Sequence, residues 1–171
     1  MTLGRHALAL LLVVAARTAG AEPLDLERLD GEPVALERSE SERALLVHFW
    51  ATWCPQCIEE LPVLAEAAQR CTGQGVRIVT VNVGETRERI EQYLARAGIA
   101  LPVLRDPRGA SWRRLGAAGL PTNLTWTPSS RRVEVGPRSP SKWNKTLRSL
   151  GCPGMPTVVE APPQAPCRDL P

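Results

Sequence analysis

The sequence predicts an α/β fold, a three-layer sandwich with a central mixed sheet and an added N-terminal hairpin. Three observations predict it. The runs Ala44 to Phe49 and Val76 to Val83 are almost continuously apolar or β-branched, as strands covered on both faces are. Helix-patterned segments alternate with the strands, an order that makes the central strands parallel. The length, 171 residues, is enough for one domain with a real core.

An export leader opens the chain. Arg5 and His6 precede an apolar run from Ala7 to Ala16, and Ala19-Gly20-Ala21 offers small residues for cleavage after Ala21. Residues 1–21 are therefore expected to be a signal peptide, with an uncleaved anchor as the alternative. The run is shorter than the about 20 residues a bilayer span needs. The folded domain is expected over residues 22–150.

Within it, Leu24 to Leu36 reads as a hairpin turning at Asp30-Gly31, and Glu37 to Arg43 as a loop or short helix. After the first buried strand, a helix is expected from about Pro55 to Arg70. Proline suits its first turn, where the missing N–H would be unpaired anyway. Ile58, Leu61, Leu64, Ala68 and Cys71 recur on one apolar face, and Pro62 is expected to kink the helix. Gly73 and Gly75 break the chain before the second buried strand. Arg87 to Ala97 is helical in composition and stops at Gly98. Leu101 to Leu104 reads as a strand and Ala110 to Leu115 as a short helix. Thr122 to Thr127 and Arg131 to Val135 read as strands around Pro128-Ser129-Ser130. A last helix is expected over Ser141 to Leu150, with Ser141 as its cap. From Gly151 the composition turns proline-rich and loses all period, so residues 151–171 read as an irregular tail.

Charge excludes one class of function. With 21 basic against 18 acidic residues, and no clustered basic stripe, the chain lacks a nucleic-acid surface. Arg113-Arg114 and Arg131-Arg132 read as solvated faces.

The chemistry centres on Cys54-Pro55-Gln56-Cys57. Two cysteines three residues apart, at the mouth of a helix and just after a buried strand, can form a disulfide across the first turn. The positive end of the helix and its free N–H groups favour a thiolate at Cys54. Cys54 is expected to be the attacking, more exposed sulfur, and Cys57 the one that resolves the mixed disulfide. A zinc site would need a second ligand pair; no other Cys-x-x-Cys exists, and apart from His6 in the leader only His48 remains, so no metal or cofactor is expected. A peroxidatic Pro-x-x-x-Thr/Ser-x-x-Cys arrangement is ruled out, because Val47 stands where its proline should be.

Glu85 lies just past the end of the Val76–Val83 strand. In parallel strands such ends share one edge with the dithiol, where a carboxylate could exchange the Cys57 proton; a solvated loop glutamate is the alternative. His48 sits in the strand beneath the dithiol, either as a proton relay or as a satisfied core histidine. Five cysteines follow the leader. Cys71 falls on the apolar helix face and reads as a buried, inert thiol. The dithiol must stay available, so Cys152 and Cys167 are expected to pair. Asn123 and Asn144 match glycosylation sequons, read here as chance.

The stretch Phe49-Trp50-Ala51-Thr52-Trp53-Cys54-Pro55-Gln56-Cys57 resembles the active site of the thioredoxin superfamily. Its Trp-Ala-Thr-Trp-Cys form is similar to the exported bacterial branch of TlpA/ResA/CcmG-like proteins. Asn82-Val83-Gly84-Glu85 resembles the segment carrying that branch's active-site acid. Gly119-Leu120-Pro121-Thr122 resembles the loop holding the superfamily's cis-proline opposite the cysteines. The resemblance covers roughly Pro23 to Leu150. It implies a thiol–disulfide oxidoreductase of the bacterial periplasm or cell envelope, with catalytic residues Cys54, Cys57, Glu85 and Pro121. Trp53, Pro55, Gln56, His48 and Leu120 would surround them; His48 departs from the family, whose members usually carry Asp, Asn or an apolar residue there. The expected activity is reduction of disulfides in exported proteins, such as apocytochromes c or copper-centre assembly factors, by a monomer supplied with electrons by a membrane thiol carrier. The alternative is a thioredoxin-fold binding module using the cysteines as metal or partner ligands.

Overall fold

The computed structural model describes residues 22–153. The leader, most of the proline-rich tail and Cys167 lie outside the described residues. Seven strands and four helices follow in the order β1 (Leu24–Glu27), β2 (Pro33–Leu36), β3 (Ala44–Trp50), α1 (Pro55–Arg70), β4 (Val76–Val83), α2 (Arg87–Ala97), β5 (Val103–Asp106), α3 (Ala110–Arg114), β6 (Thr122–Trp126), β7 (Arg131–Val135) and α4 (Pro140–Ser149). One mixed sheet runs β2-β1-β5-β4-β3-β6-β7. The apolar strands β3 and β4 lie in its middle and pair in parallel, as does β5 with β4. β6 and the hairpin strand β1 join antiparallel. This is the expected sandwich with its added hairpin.

Strand β3 is buried along its whole length, and its side chains alternate between the faces. Ala44 and Leu46 meet Val63, Leu64 and Ala67 of α1 and Trp143 and Leu147 of α4. Leu45, Val47 and Phe49 pack on the other face with Leu24, Leu26, Val81 and Leu124, and Trp112 of α3 covers that cluster. By the same alternation His48 and Trp50 face the α1 side.

The helix α1 keeps its expected span, running on through Pro62 to Arg70. Two other expectations shift. The strand expected at Leu101 begins at Val103, just after Pro102, which has no N–H to give to a ladder. The cap of α4 is Ser139, whose hydroxyl accepts the Lys142 N–H, with Pro140 at the first helical position. Gly98 closes α2 as expected, in the left-handed conformation at φ 63°.

The cysteine pairing is corrected. Cys71 is bonded to Cys152, not free, so the expected Cys152–Cys167 pair does not form. Cys71 caps the end of α1, and the Cys152 N–H folds back onto the Leu147 carbonyl at the end of α4. These two helices lie side by side on the same sheet face, so their ends bring the two Cα atoms within 5.2 Å. Both residues are buried in that core, and the folded unit therefore runs past residue 150.

Candidate active site

The dithiol stands where β3 ends and α1 begins. The Cys54 N–H bonds the Ala51 carbonyl at 3.1 Å, turning the chain out of the strand. Cys54 then occupies the cap of α1 in an extended conformation, and its sulfur accepts the Cys57 N–H at 3.2 Å. Pro55 takes the first helical position. Cys54 and Cys57 are joined as a disulfide with Cα atoms 5.3 Å apart. Cys54 is 6 % exposed and Cys57 fully buried, the expected order. Trp53 is 63 % exposed beside them, and Pro55 and Gln56 are also exposed.

The parallel pairing of β3 and β4 brings Glu85 to the same sheet edge. Its buried carboxylate is gripped from every side. One oxygen accepts the Thr52 N–H at 2.7 Å and the Asn82 amide at 2.6 Å. The other accepts the Thr52 hydroxyl and faces Arg89 Nε at 2.9 Å. Thr52 belongs to the loop that delivers Cys54, so Glu85 ties that loop to β4 and α2. Thr52 had no signal in the sequence, being 33 residues from Glu85, whereas Arg89 follows Glu85 at the i,i+4 spacing that pairs opposite charges.

Opposite the disulfide, the Leu120–Pro121 bond is cis, and the Pro121 carbonyl accepts the Gly136 N–H at 2.8 Å. Leu120 packs against the cluster that contains Cys54, Cys57 and Trp50.

Beneath the dithiol lies a polar cluster inside the core. His48 Nδ1 bonds Asn123 Oδ1 at 2.8 Å and stands 3.8 Å from Glu60 Oε2. Glu60 accepts the Arg138 N–H and the Trp143 indole N–H, each at 2.8 Å. The Arg138 guanidinium lies 4.8 Å over the Trp143 ring and pairs with Glu134. His48, Glu60, Asn123 and Arg138 are all buried. Burial, with the Arg138 charge, pulls His48 down to about 4 against the pull of Asn123 and the Cys57 backbone, so the ring is neutral at pH 7. Burial pushes Glu60 up, while the Arg138 and Trp143 donors oppose the rise. Glu60 escaped notice in the sequence; its signal was a carboxylate one turn beyond Cys57, beside Leu61 on the apolar face of α1. Asn123, which matched a sequon, is buried against His48. Among the described residues, no group of three or more His, Cys, Asp or Glu is arranged to hold a metal ion.

A mixed sheet flanked by helices, with a dithiol capping the helix after its central strand and a cis-proline facing it, defines a thioredoxin-like protein. The AhpC/TSA family matches residues 19–130, and the chain belongs to that family. The thiol-disulfide oxidoreductase ResA of Bacillus subtilis is 30% identical over 110 residues, which cover 64% of this chain and 61% of ResA. The chain thus spans about three fifths of that relative's length. Two solved structures from Chlorobium tepidum share the fold. A thiol:disulfide interchange protein of the thioredoxin family matches with TM-score 0.61 and 27% identity, over 76% of this chain and 97% of that one. A putative interchange protein DsbE matches with TM-score 0.65 and 25% identity, over 77% and 96%.

Proposed function

We propose that the protein is an exported thiol–disulfide oxidoreductase that reduces disulfides in other exported proteins. The observation that carries this reading is the Cys54–Cys57 disulfide at the cap of α1, with the Cys57 N–H already directed at the Cys54 sulfur. The reduced protein attacks a substrate disulfide with the Cys54 thiolate, forming a mixed disulfide and releasing one substrate thiolate. The Cys57 thiolate then attacks the Cys54 sulfur and releases the second. Two electrons pass to the substrate, and the Cys54–Cys57 disulfide returns. A membrane thiol carrier restores the dithiol.

In this reading Glu85 is a positioning residue that holds the Thr52–Cys54 loop. The exposed ring of Trp53 and the Leu120 backbone receive the substrate. Pro121, which has no N–H, leaves that approach unobstructed by a donor. Envelope proteins that mature through thiols, such as apocytochromes c or copper-centre assembly factors, fit as substrates. Support for export comes from the leader-like N-terminus, and among the described residues no helix is long and apolar enough to cross a membrane.

The test is capture. A Cys57→Ser variant leaves the mixed disulfide on Cys54 unresolved, so exported proteins should accumulate on it in cells and be released by reductant. Wild type should also reduce insulin, with a change in Trp53 fluorescence. No captured protein, together with no insulin reduction, refutes the reading.

A further inference from the structure

Thr52, two residues before Cys54, forms one wall of a cavity of about 350 Å³. The other walls are Arg89, Gln92, Tyr93 and Arg96 of α2. Spacings of three, four and seven residues put these four side chains on one helix face. The acidic residues of α2 lie away from it. Glu91 is on the opposite side, paired with Arg87 at 2.8 Å, and Glu88 is about a quarter-turn off at 100° per residue. The face that looks toward the dithiol loop is therefore cationic and rich in donors.

Its members are held in place. Arg89 Nε donates to the Thr52 hydroxyl at 2.8 Å and faces the carboxylate of Glu85, which Thr52 and Asn82 also engage. Arg96 Nε donates to the Gln92 carbonyl at 3.1 Å, fixing its guanidinium along the helix. Tyr93 leans on Trp50, with ring centroids 5.9 Å apart, and packs on the cluster that includes both dithiol cysteines. Burial raises its phenol, so it stays a hydrogen-bond donor at neutral pH.

We propose that this cavity binds a carboxylate of the substrate, so that the protein selects disulfides with acidic residues beside them. The inference rests on the oxidoreductase reading and deepens it. Two guanidinium groups lining one concavity suit a carboxylate, which their terminal N–H groups can meet. The distance along the chain fits as well, because the cavity wall and the attacking sulfur are two residues apart at Thr52 and Cys54. Charge complementarity at such a rim acts on encounter rate and partner choice.

The experiment uses the reduced full chain and two disulfide peptides that differ only in Asp-Asp or Ser-Ser beside one cysteine. At low salt the acidic peptide should react about ten-fold faster, and near 1 M salt the ratio should fall toward one. Arg96→Glu, at an exposed position, should bring the ratio to about one at low salt; Arg96→Lys should retain part of it. Equal wild-type rates when both peptides are reduced, or a ratio that Arg96→Glu leaves intact, overturn the proposal. A peptide with serine in place of cysteine separates the two readings. If the wild type reduces neither disulfide peptide, yet the acidic serine peptide shifts the NMR amides of Gln92 and Arg96, the oxidoreductase reading fails and the subsite stands. No shift with the acidic serine peptide overturns the subsite.

Discussion

Glu85 meets four donor groups: the Thr52 amide and hydroxyl, the Asn82 amide and the Arg89 guanidinium. Replacing it by glutamine puts an NH2 group where one oxygen was, so a donor faces donors. Glu85→Gln should therefore lower stability by about 1–3 kcal/mol and slow thiol–disulfide exchange, because the loop carrying Cys54 loses its tether. Urea denaturation and stopped-flow exchange check this; wild-type values in both remove Glu85 from the site. His48 makes a different prediction. Its pKa falls from 6.5 to about 4 on folding, so the unfolded chain binds the extra proton between those values. Its contribution is complete above about pH 6.5 and is lost as pH falls toward 4, a difference of about 3 kcal/mol. Glu60 runs the other way, since its raised pKa favours the fold at low pH and loses that advantage as pH rises. Both proteins keep Glu60, so the comparison isolates the histidine: His48→Asn should flatten the acid loss of stability between about pH 6.5 and 4. Parallel pH profiles for the two proteins contradict the assignment.

At the scale of elements, the helix α1 does two jobs from its two ends. Its N-terminus presents the dithiol, and its C-terminus is stapled to the end of α4 by Cys71–Cys152. That link spans 81 residues, so it removes much chain entropy from the unfolded state, about 4.5 kcal/mol on a loop-closure basis. The double variant Cys71→Ala/Cys152→Ala should lose stability of that order while keeping the exchange rate of Cys54 and Cys57, since the staple lies at the far end of the helix. Thermal or urea unfolding measures the first and insulin reduction the second. An unchanged midpoint would show that the staple constrains nothing. Between the two ends, Glu60 joins α1 to α4 through Trp143 and to the preceding loop through Arg138. The helix that carries the chemistry is thus fastened along its length, which keeps the cap geometry at Cys54 constant.

Across the whole molecule, the charges around the dithiol set the direction of electron flow. The α1 terminus stabilises a thiolate at Cys54, but His48 is held neutral by burial and supplies no cation, and Arg89 balances Glu85. The reduced form should then be only moderately favoured, with a potential near that of thioredoxin, about −270 mV, and not near the oxidant end at about −120 mV. Equilibration with glutathione decides it; a value near the oxidant end rejects the reductant reading. The same molecule divides cleanly into what was legible in its chain and what was not. Local features were legible: Cys54 and Cys57 one helical turn apart, the unbroken apolar runs of β3 and β4, the stop at Gly98, and the hairpin turn at Asp30-Gly31. Each is written within a few neighbouring residues, where periodicity and backbone preference act directly. The edge shared by Cys54 and Glu85 followed from strand direction alone. The disulfide partner of Cys71, the hold of Thr52 on Glu85, the His48–Glu60–Asn123 cluster and the approach of the α2 face to Thr52 were decided only by the tertiary structure. Those contacts join residues up to 81 positions apart in the case of the staple, and which of them meet depends on how α1, α2 and α4 settle on the sheet. Side-chain packing chooses that arrangement, and no short stretch of sequence contains it.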